Sequence, residues 1–131
     1  LSYNQLKPFI DSKEIKFLGY INDVRDVLNR CRYYVLPSYR EGTPRSILEA
    51  MSIGRPIITT NTSGCKETVL DSVNGLLVPI KDKKSLALAM QKMLELDNVE
   101  IKHMANESVK LVREKYDVTK VNDNKLKIIT N

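Results

Sequence analysis

The chain has 131 residues, 42% of them hydrophobic and 28% charged, and carries a formal net charge of +5. That length suits one domain able to bury a core, and the ordinary apolar fraction with charges of mixed sign excludes the disordered and fibrous classes. No apolar run reaches the ~18–20 residues needed to span a bilayer, and no signal-peptide pattern opens the chain. The basic balance fits a nucleic acid, an anionic membrane surface or a phosphorylated substrate. The lysines are scattered along helical segments, apart from Lys81, Lys83 and Lys84 and the tail residues Lys120, Lys125 and Lys127. No nucleic-acid motif accompanies them, so a solvated helix face is the simpler reading. Cys31 and Cys65 have neither Cys-x-x-Cys spacing nor a neighbouring histidine, which points to a reducing cytoplasmic compartment and away from a metal site.

In chain order, Tyr3, Leu6, Phe9 and Ile10 carry helical spacing from the start, a beginning expected of a piece whose preceding elements lie elsewhere. Short dense apolar runs then alternate with helical-period segments, the pattern of βα units stacking into a parallel sheet. The predicted strands are Ile15–Leu18, Tyr33–Leu36, Ile57–Thr60 and Gly75–Val78, with helices near 23–31, 45–53 and 65–71 between them. Asn22 is read as an N-cap with Asp23 and Asp26 in the first turn. Thr43 and Pro44 read as N-cap and first-position proline of the central helix, and Gly54 followed by Pro56 as its stop. Glu67 is expected to reach back to Gly64 as a cap. From Lys83 the period changes to two long amphipathic helices. Leu86, Ala89, Met90, Met93 and Leu94 face the core on the first, and Ile101, Met104, Ala105, Val109, Val112 and Tyr116 on the second. Residues 117–131 suit a final helix, and no internal repeat or low-complexity linker is present.

The chemistry concentrates between the second and third predicted strands, where Glu41 and Glu49 stand eight residues apart across a Gly-Thr-Pro turn that opens a helix. A helix N-terminus presents unpaired N–H groups and a positive dipole end to an anion. The amides of Arg45, Ser46 and Ile47 therefore form a phosphate seat, and Gly42 leaves room for close approach. Glu49 lies one turn beyond Arg45, and helical side chains lean toward the N-terminus, so its carboxylate reaches a group beside the phosphates, such as a ribose diol. Glu41 precedes the turn at the carboxyl end of a strand, where open α/β sheets bind ligands, and can accept from sugar hydroxyls on the other side. Acidic residues near helix starts are common, so the spacing alone also fits a purely structural pair. His103 stands alone and reads as a surface or packing residue. Arg40 and Arg55 read as exposed loop arginines with a share in phosphate charge as the second option, and Cys65 as a small packed residue.

The string Val35-Leu36-Pro37-Ser38, Glu41-Gly42, Leu48-Glu49-Ala50-Met51 and Gly54-Arg55-Pro56-Ile57-Ile58 resembles the signature of glycosyltransferase family 4, including its Glu-x7-Glu motif. Phe17-Leu18-Gly19-Tyr20 before it, and Gly64-Cys65-Lys66-Glu67 and Asn74 through Pro79 after it, extend the likeness from about Ile15 to Tyr116. The Glu-Gly-Thr-Pro-Arg-Ser variant is similar to the capsular and cell-surface polysaccharide branch. The resemblance implies an α/β, Rossmann-like parallel sheet with flanking helices, an incomplete C-terminal domain of a GT-B glycosyltransferase. On this reading residues 1–131 are the donor-binding domain without its first βα elements, the N-terminal acceptor domain is absent, and so is the family's basic pair that grips the phosphates.

The implied reaction is retaining transfer from a nucleoside-diphosphate sugar, a UDP-hexose or UDP-N-acetylhexosamine, to a lipid-linked or polysaccharide acceptor. Glu41 would be the catalytic residue, contacting donor-sugar hydroxyls and supporting developing charge. Glu49 would hold the ribose, the amides of Arg45 and Ser46 the diphosphate, and the loop at Tyr20 and Ile21 the base through backbone atoms. The turn residues Gly42, Thr43 and Pro44 complete the substrate-binding set. No metal and no cofactor are implied, the UDP-sugar being a substrate. The partners implied are the donor and an acceptor held mainly by the other domain, with no nucleic acid. A cytoplasmic location follows, with room for peripheral contact at an anionic inner membrane face. The isolated chain, as one wall of a cleft, is expected to be inactive. The competing readings are a non-catalytic sugar-nucleotide module and a sugar-nucleotide epimerase of the same architecture, which the Glu-x7-Glu spacing disfavours.

Overall fold

A computed structural model of the chain describes residues 2–39, 42 and 44–116. Among the described residues, five helices and three strands run in the order α1 (Tyr3–Asp11), α2 (Arg25–Asn29), β1 (Tyr34–Leu36), α3 (Arg45–Ile53), β2 (Ile57–Thr60), β3 (Gly75–Val78), α4 (Lys83–Glu95) and α5 (Asn98–Lys115), with a 3-10 turn at Lys66–Thr68 before β3. The strands form one parallel sheet in the order β1-β2-β3. Tyr34 pairs with Ile57, and Ile57 with Gly75.

All four residues of β2 are buried, as expected of a central parallel strand covered on both faces. Successive side chains of a strand point to opposite faces, so Ile57 and Ile58 enter different cores. Ile57 packs with Leu28, Ile47, Leu48, Met51 and Val112 under α2, α3 and α5. Ile58 packs with Leu76, Val78, Ala89, Met93 and Met104 under α4 and the start of α5. Each isoleucine is fully buried, worth about 2–3 kcal/mol of transfer free energy. α5 serves both faces, Met104 in one core and Val112 in the other.

Helix ends follow local chemistry. Gly54 ends α3 in the left-handed region at φ 88°, its N–H donating to the last-turn carbonyls of Ala50 and Met51. Asp82 caps α4 by accepting from the Ser85 amide, and Asp97 and Glu100 form a reciprocal capping box on α5.

The predicted strands at Ile57–Thr60 and Gly75–Val78 form with those bounds, and β1 starts one residue later than expected. Ile15–Leu18 is not a strand: no described strand pairs with it, and Ile15, Phe17 and Leu18 are exposed. Apolar content marks a strand candidate, but a strand exists only where a neighbour takes its hydrogen bonds. The segment is instead held to α1 by an edge-to-face contact of Phe17 with Tyr3, ring centroids 5.3 Å apart.

The helix expected over 65–71 shrinks to the 3-10 turn because Asn74 intercepts its backbone groups. The Asn74 amide donates to the Thr68 carbonyl, and its oxygen accepts from the Leu70 N–H. The cap assigned to Asn22 falls on Val24, and Pro44 is the N-cap of α3, in extended geometry, rather than its first helical residue. Thr43, and the helix suggested for 117–131, lie outside the described residues. On α4 the predicted core stripe is narrower than its pattern: Met93 is fully buried, whereas Leu94 is 62% exposed.

Ser108 ties the helix layer to the sheet. Its buried hydroxyl donates to the Arg55 carbonyl at 2.9 Å and lies 3.4 Å from the Asn74 side-chain nitrogen. Ser108→Ala strands the Arg55 carbonyl and leaves the Asn74 amide with the Thr68 carbonyl alone, so a denaturant melt is expected to show a loss of about 1.5 kcal/mol with an unchanged m-value.

Candidate functional site

Two threonines of β2 set the exit path of β1. Thr59 Oγ1 donates to the Leu36 carbonyl at 2.8 Å, and Thr60 Oγ1 donates to the Ser38 carbonyl. The chain leaving the sheet is therefore tied down for three residues before it enters the turn that starts α3. At that start the first intrahelical bond runs from the Leu48 amide to the Pro44 carbonyl at 3.3 Å. The amides of Arg45, Ser46 and Ile47 have no acceptor among the described residues. Three donors and the positive end of a nine-residue helix thus meet at the carboxyl edge of the sheet. Among the described residues nothing lies within 4 Å of a Cβ built on Gly42.

Glu49 lies on the first turns of α3, half-buried, and its carboxylate makes no hydrogen bond or ion pair among the described residues. Burial raises its pKa above the ordinary carboxylate value; Arg25 and Arg45 oppose that rise and Asp23 adds to it. Arg25 is clamped by Asp23, with Nε 3.0 Å from Oδ1 and a terminal nitrogen 2.9 Å from Oδ2. The Arg25 amide donates to the same Oδ1 at 3.0 Å. These bonds hold the exposed Asp23 carboxyl at a pKa of about 2. Asp23 and Asp26, expected as dipole partners, flank Arg25, for which the Asp-x-Arg spacing at the start of α2 is the sequence signal.

The structure brings Gly42, Pro44, Arg45, Ser46 and Glu49 together around the start of α3. Tyr20, 90% exposed, and Ile21, half-buried, lie in the loop between α1 and α2. Glu41, Thr43 and Arg40 lie outside the described residues. Arg55 is overturned as an exposed loop or phosphate arginine. A terminal guanidinium nitrogen donates to the Cys31 carbonyl at 2.7 Å, and the residue is half-buried just after α3. A nine-residue helix, about 13 Å at 1.5 Å per residue, separates it from the amides. His103 is exposed on α5, Cys65 is fully buried, and Glu67 accepts from the Gly64 amide at 3.5 Å.

The carboxyl edge also holds a cleft of about 860 Å³ where the ends of β1, β2 and β3 meet the start of α4. Lys81 and Lys83 line it, and the Lys81 ammonium sits 5.5 Å from the centre of the Tyr39 ring, within cation–π range. Two of the lysines read as part of a solvated face therefore border the cleft. No helix among the described residues is long and apolar enough to cross a membrane.

This parallel sheet, helix-covered on both faces with the start of α3 at its carboxyl edge, is part of a GT-B glycosyltransferase fold. The solved structure of Anabaena HepE in complex with UDP superimposes with a TM-score of 0.81 at 24% identity, covering 98% of this chain and 35% of that one. The chain belongs to the family described as Glycosyl transferases group 1, whose sequence model matches residues 2–96.

Two curated relatives carry specific activities. An N,N'-diacetylbacillosaminyl-diphospho-undecaprenol alpha-1,3-N-acetylgalactosaminyltransferase of Campylobacter jejuni is 36% identical over 87 residues, 66% of this chain and 23% of the relative. A UDP-Gal:alpha-D-GlcNAc-diphosphoundecaprenol alpha-1,3-galactosyltransferase of Escherichia coli is 34% identical over 95 residues, 72% of this chain and 24% of the relative. The chain thus spans about a quarter of the length of these relatives.

Proposed function

We propose that this chain is the donor-binding part of a retaining glycosyltransferase. The reaction moves a hexose or N-acetylhexosamine from a UDP-sugar to a lipid-linked or polysaccharide acceptor in cell-surface glycan synthesis. The observation that carries the reading is the start of α3, where acceptor-free amides stand one turn from a half-buried carboxylate that has no partner among the described residues. Amides serve a diphosphate, and an ionised carboxylate serves only hydroxyl or N–H donors. A ligand with a diphosphate beside a diol satisfies both.

In this assignment the amides of Arg45 and Ser46 hold the diphosphate, Glu49 the ribose diol, the Tyr20 and Ile21 backbone the base, and Glu41 the donor sugar. Gly42, Thr43 and Pro44 shape the turn between sugar and phosphates. Backbone amides and the helix dipole take up phosphate charge, so donor binding is expected to need no metal. The named activities of the Campylobacter and Escherichia relatives, both on undecaprenol-diphosphate-linked sugars, support the acceptor class. The lipid-linked sugars in those names also support work at a membrane surface, which this proposal places on the cytoplasmic face. Residues 1–131 alone carry one side of a cleft and are expected to bind UDP weakly without turnover.

The test is a panel of nucleotide sugars offered to the intact protein that carries this chain, with calorimetric binding and anomer-resolved product analysis. UDP-sugars should bind more tightly than GDP- or ADP-sugars and yield product with the donor's anomeric configuration. Binding without transfer to any undecaprenol-diphosphate-linked or glycan acceptor would favour a sensor module instead, and inverted product would remove the retaining assignment.

A further inference from the structure

The groups around Glu49 raise a question that its own helix does not answer. A half-buried carboxylate needs a compensating cation, yet a cation that bonds it directly would occupy the oxygens a ligand must use. α2 packs on α3 through Val24 and Leu28 against the core of Ile47 and Leu48, which brings Arg25 within electrostatic reach of Glu49. The guanidinium does not pair with Glu49; both of its bonded nitrogens go to the two oxygens of Asp23. The planar fork leaves little freedom once two parallel bonds are made.

We propose that Asp23 and Arg25 are a positioning pair for Glu49, Asp23 holding the guanidinium beside α3 so that a cation accompanies Glu49 without capping its oxygens. This rests on Glu49 being the diol contact of the reading above. Asp23 is exposed and Arg25 half-buried, with side-chain exposures of 54% and 33%. The pair therefore adds little to stability, and its consequence is where the positive charge sits. Among the described residues, the other charge acting directly on Glu49 is Arg45 of its own helix, and Asp26 acts on Arg25. The side chains that β1, β2 and α5 bring to this core are Tyr34, Leu36, Ile57, Leu111, Val112 and Tyr116.

The sign of the pH effect follows from the chemistry. Diol binding requires the carboxylate, so it is lost as pH falls through the pKa of Glu49. Removing a nearby cation moves that loss to higher pH.

UDP and 2′-deoxy-UDP, titrated between pH 5 and 8 into the intact protein, read the effect. The unsubstituted protein is expected to prefer UDP by about tenfold, the share of one charge-assisted hydrogen bond. Arg25→Met should raise the pH at which that preference disappears, and Arg25→Lys should largely restore it. Asp23→Asn should weaken UDP several-fold at pH 7.5, because the released guanidinium turns onto Glu49; adding Arg25→Met to Asp23→Asn should cancel that loss. Thermal melts near that of the unsubstituted protein accompany these outcomes if the role is positioning. An unchanged pH midpoint in Arg25→Met together with unchanged affinity in Asp23→Asn overturns the pair while leaving Glu49's role standing. If Glu49→Gln binds UDP as tightly as the unsubstituted protein, the diol assignment itself fails and the pair fails with it.

Discussion

Glu41→Ala in the intact protein is expected to lower kcat roughly a thousandfold while leaving UDP affinity within about threefold. The contrast is Glu49→Ala, expected to weaken UDP by about tenfold or more with a smaller change in kcat at saturating donor. The division follows from where each carboxylate stands along the ligand. Glu49 sits within the first turns of α3, near the amides proposed to hold the diphosphate, and is assigned the ribose in that proposal. Its contact is made equally in the ground state and the transition state, so its loss appears in binding. In the proposed assignment Glu41, which precedes Gly42 in the sequence, serves the donor sugar, where charge develops as the glycosidic bond breaks, so its loss appears in the chemical step. UDP and donor-sugar titrations with single-turnover kinetics on both variants separate the roles, and equal losses in both would refute the division.

Gly75→Ala is the substitution expected to damage the fold most. A Cβ built on Gly75 lies 1.8 Å from the Ile57 carbonyl oxygen and 2.7 Å from its carbon. The obstacle is backbone of the central strand, so no change of rotamer relieves it. Gly75 pairs with Ile57 in the parallel register, and any shift of β3 disturbs the core of Ile58, Leu76 and Val78. A loss of about 4 kcal/mol is expected, enough to unfold many domains. Urea denaturation of the soluble fraction reads it, and a loss under 1 kcal/mol would contradict the close approach. Gly54→Ala makes a graded comparison: its Cβ meets Val109 at an ordinary 3.5 Å, leaving chiefly the left-handed backbone as the cost, about 1 kcal/mol.

Much of the site was legible in the residues because its grammar is local. A strand-like run, a glycine-containing turn and the bounded helix 45–53 lie within one segment, and helix stops such as Gly54 depend on backbone preferences the residue carries itself. The central strands were legible for the same reason: Ile57-Ile58 and Leu76-Leu77 are dense apolar runs of strand length.

Failures occurred wherever the deciding partner was distant in sequence or the competition was between side chain and backbone. Ile15–Leu18 has strand composition and no described strand beside it. The helix at 65–71 lost its backbone donors and acceptors to Asn74. Arg55 carries the charge of a phosphate ligand, but packing gives it the Cys31 carbonyl, at the far end of α3 from the amides.

By itself the sequence determined the βα order, the limits of α3, the spacing of Glu41 and Glu49, and the family, because these are properties of contiguous residues and their periods. Only the tertiary structure decided which face of the sheet each isoleucine of β2 serves. It also decided that Thr59 and Thr60 tie down the chain leaving β1, and that Arg25, bonded to Asp23, comes within electrostatic reach of Glu49. Those facts depend on where separate elements meet, and it is the packing of α2 on α3 that joins a charge at position 25 to a carboxylate at position 49.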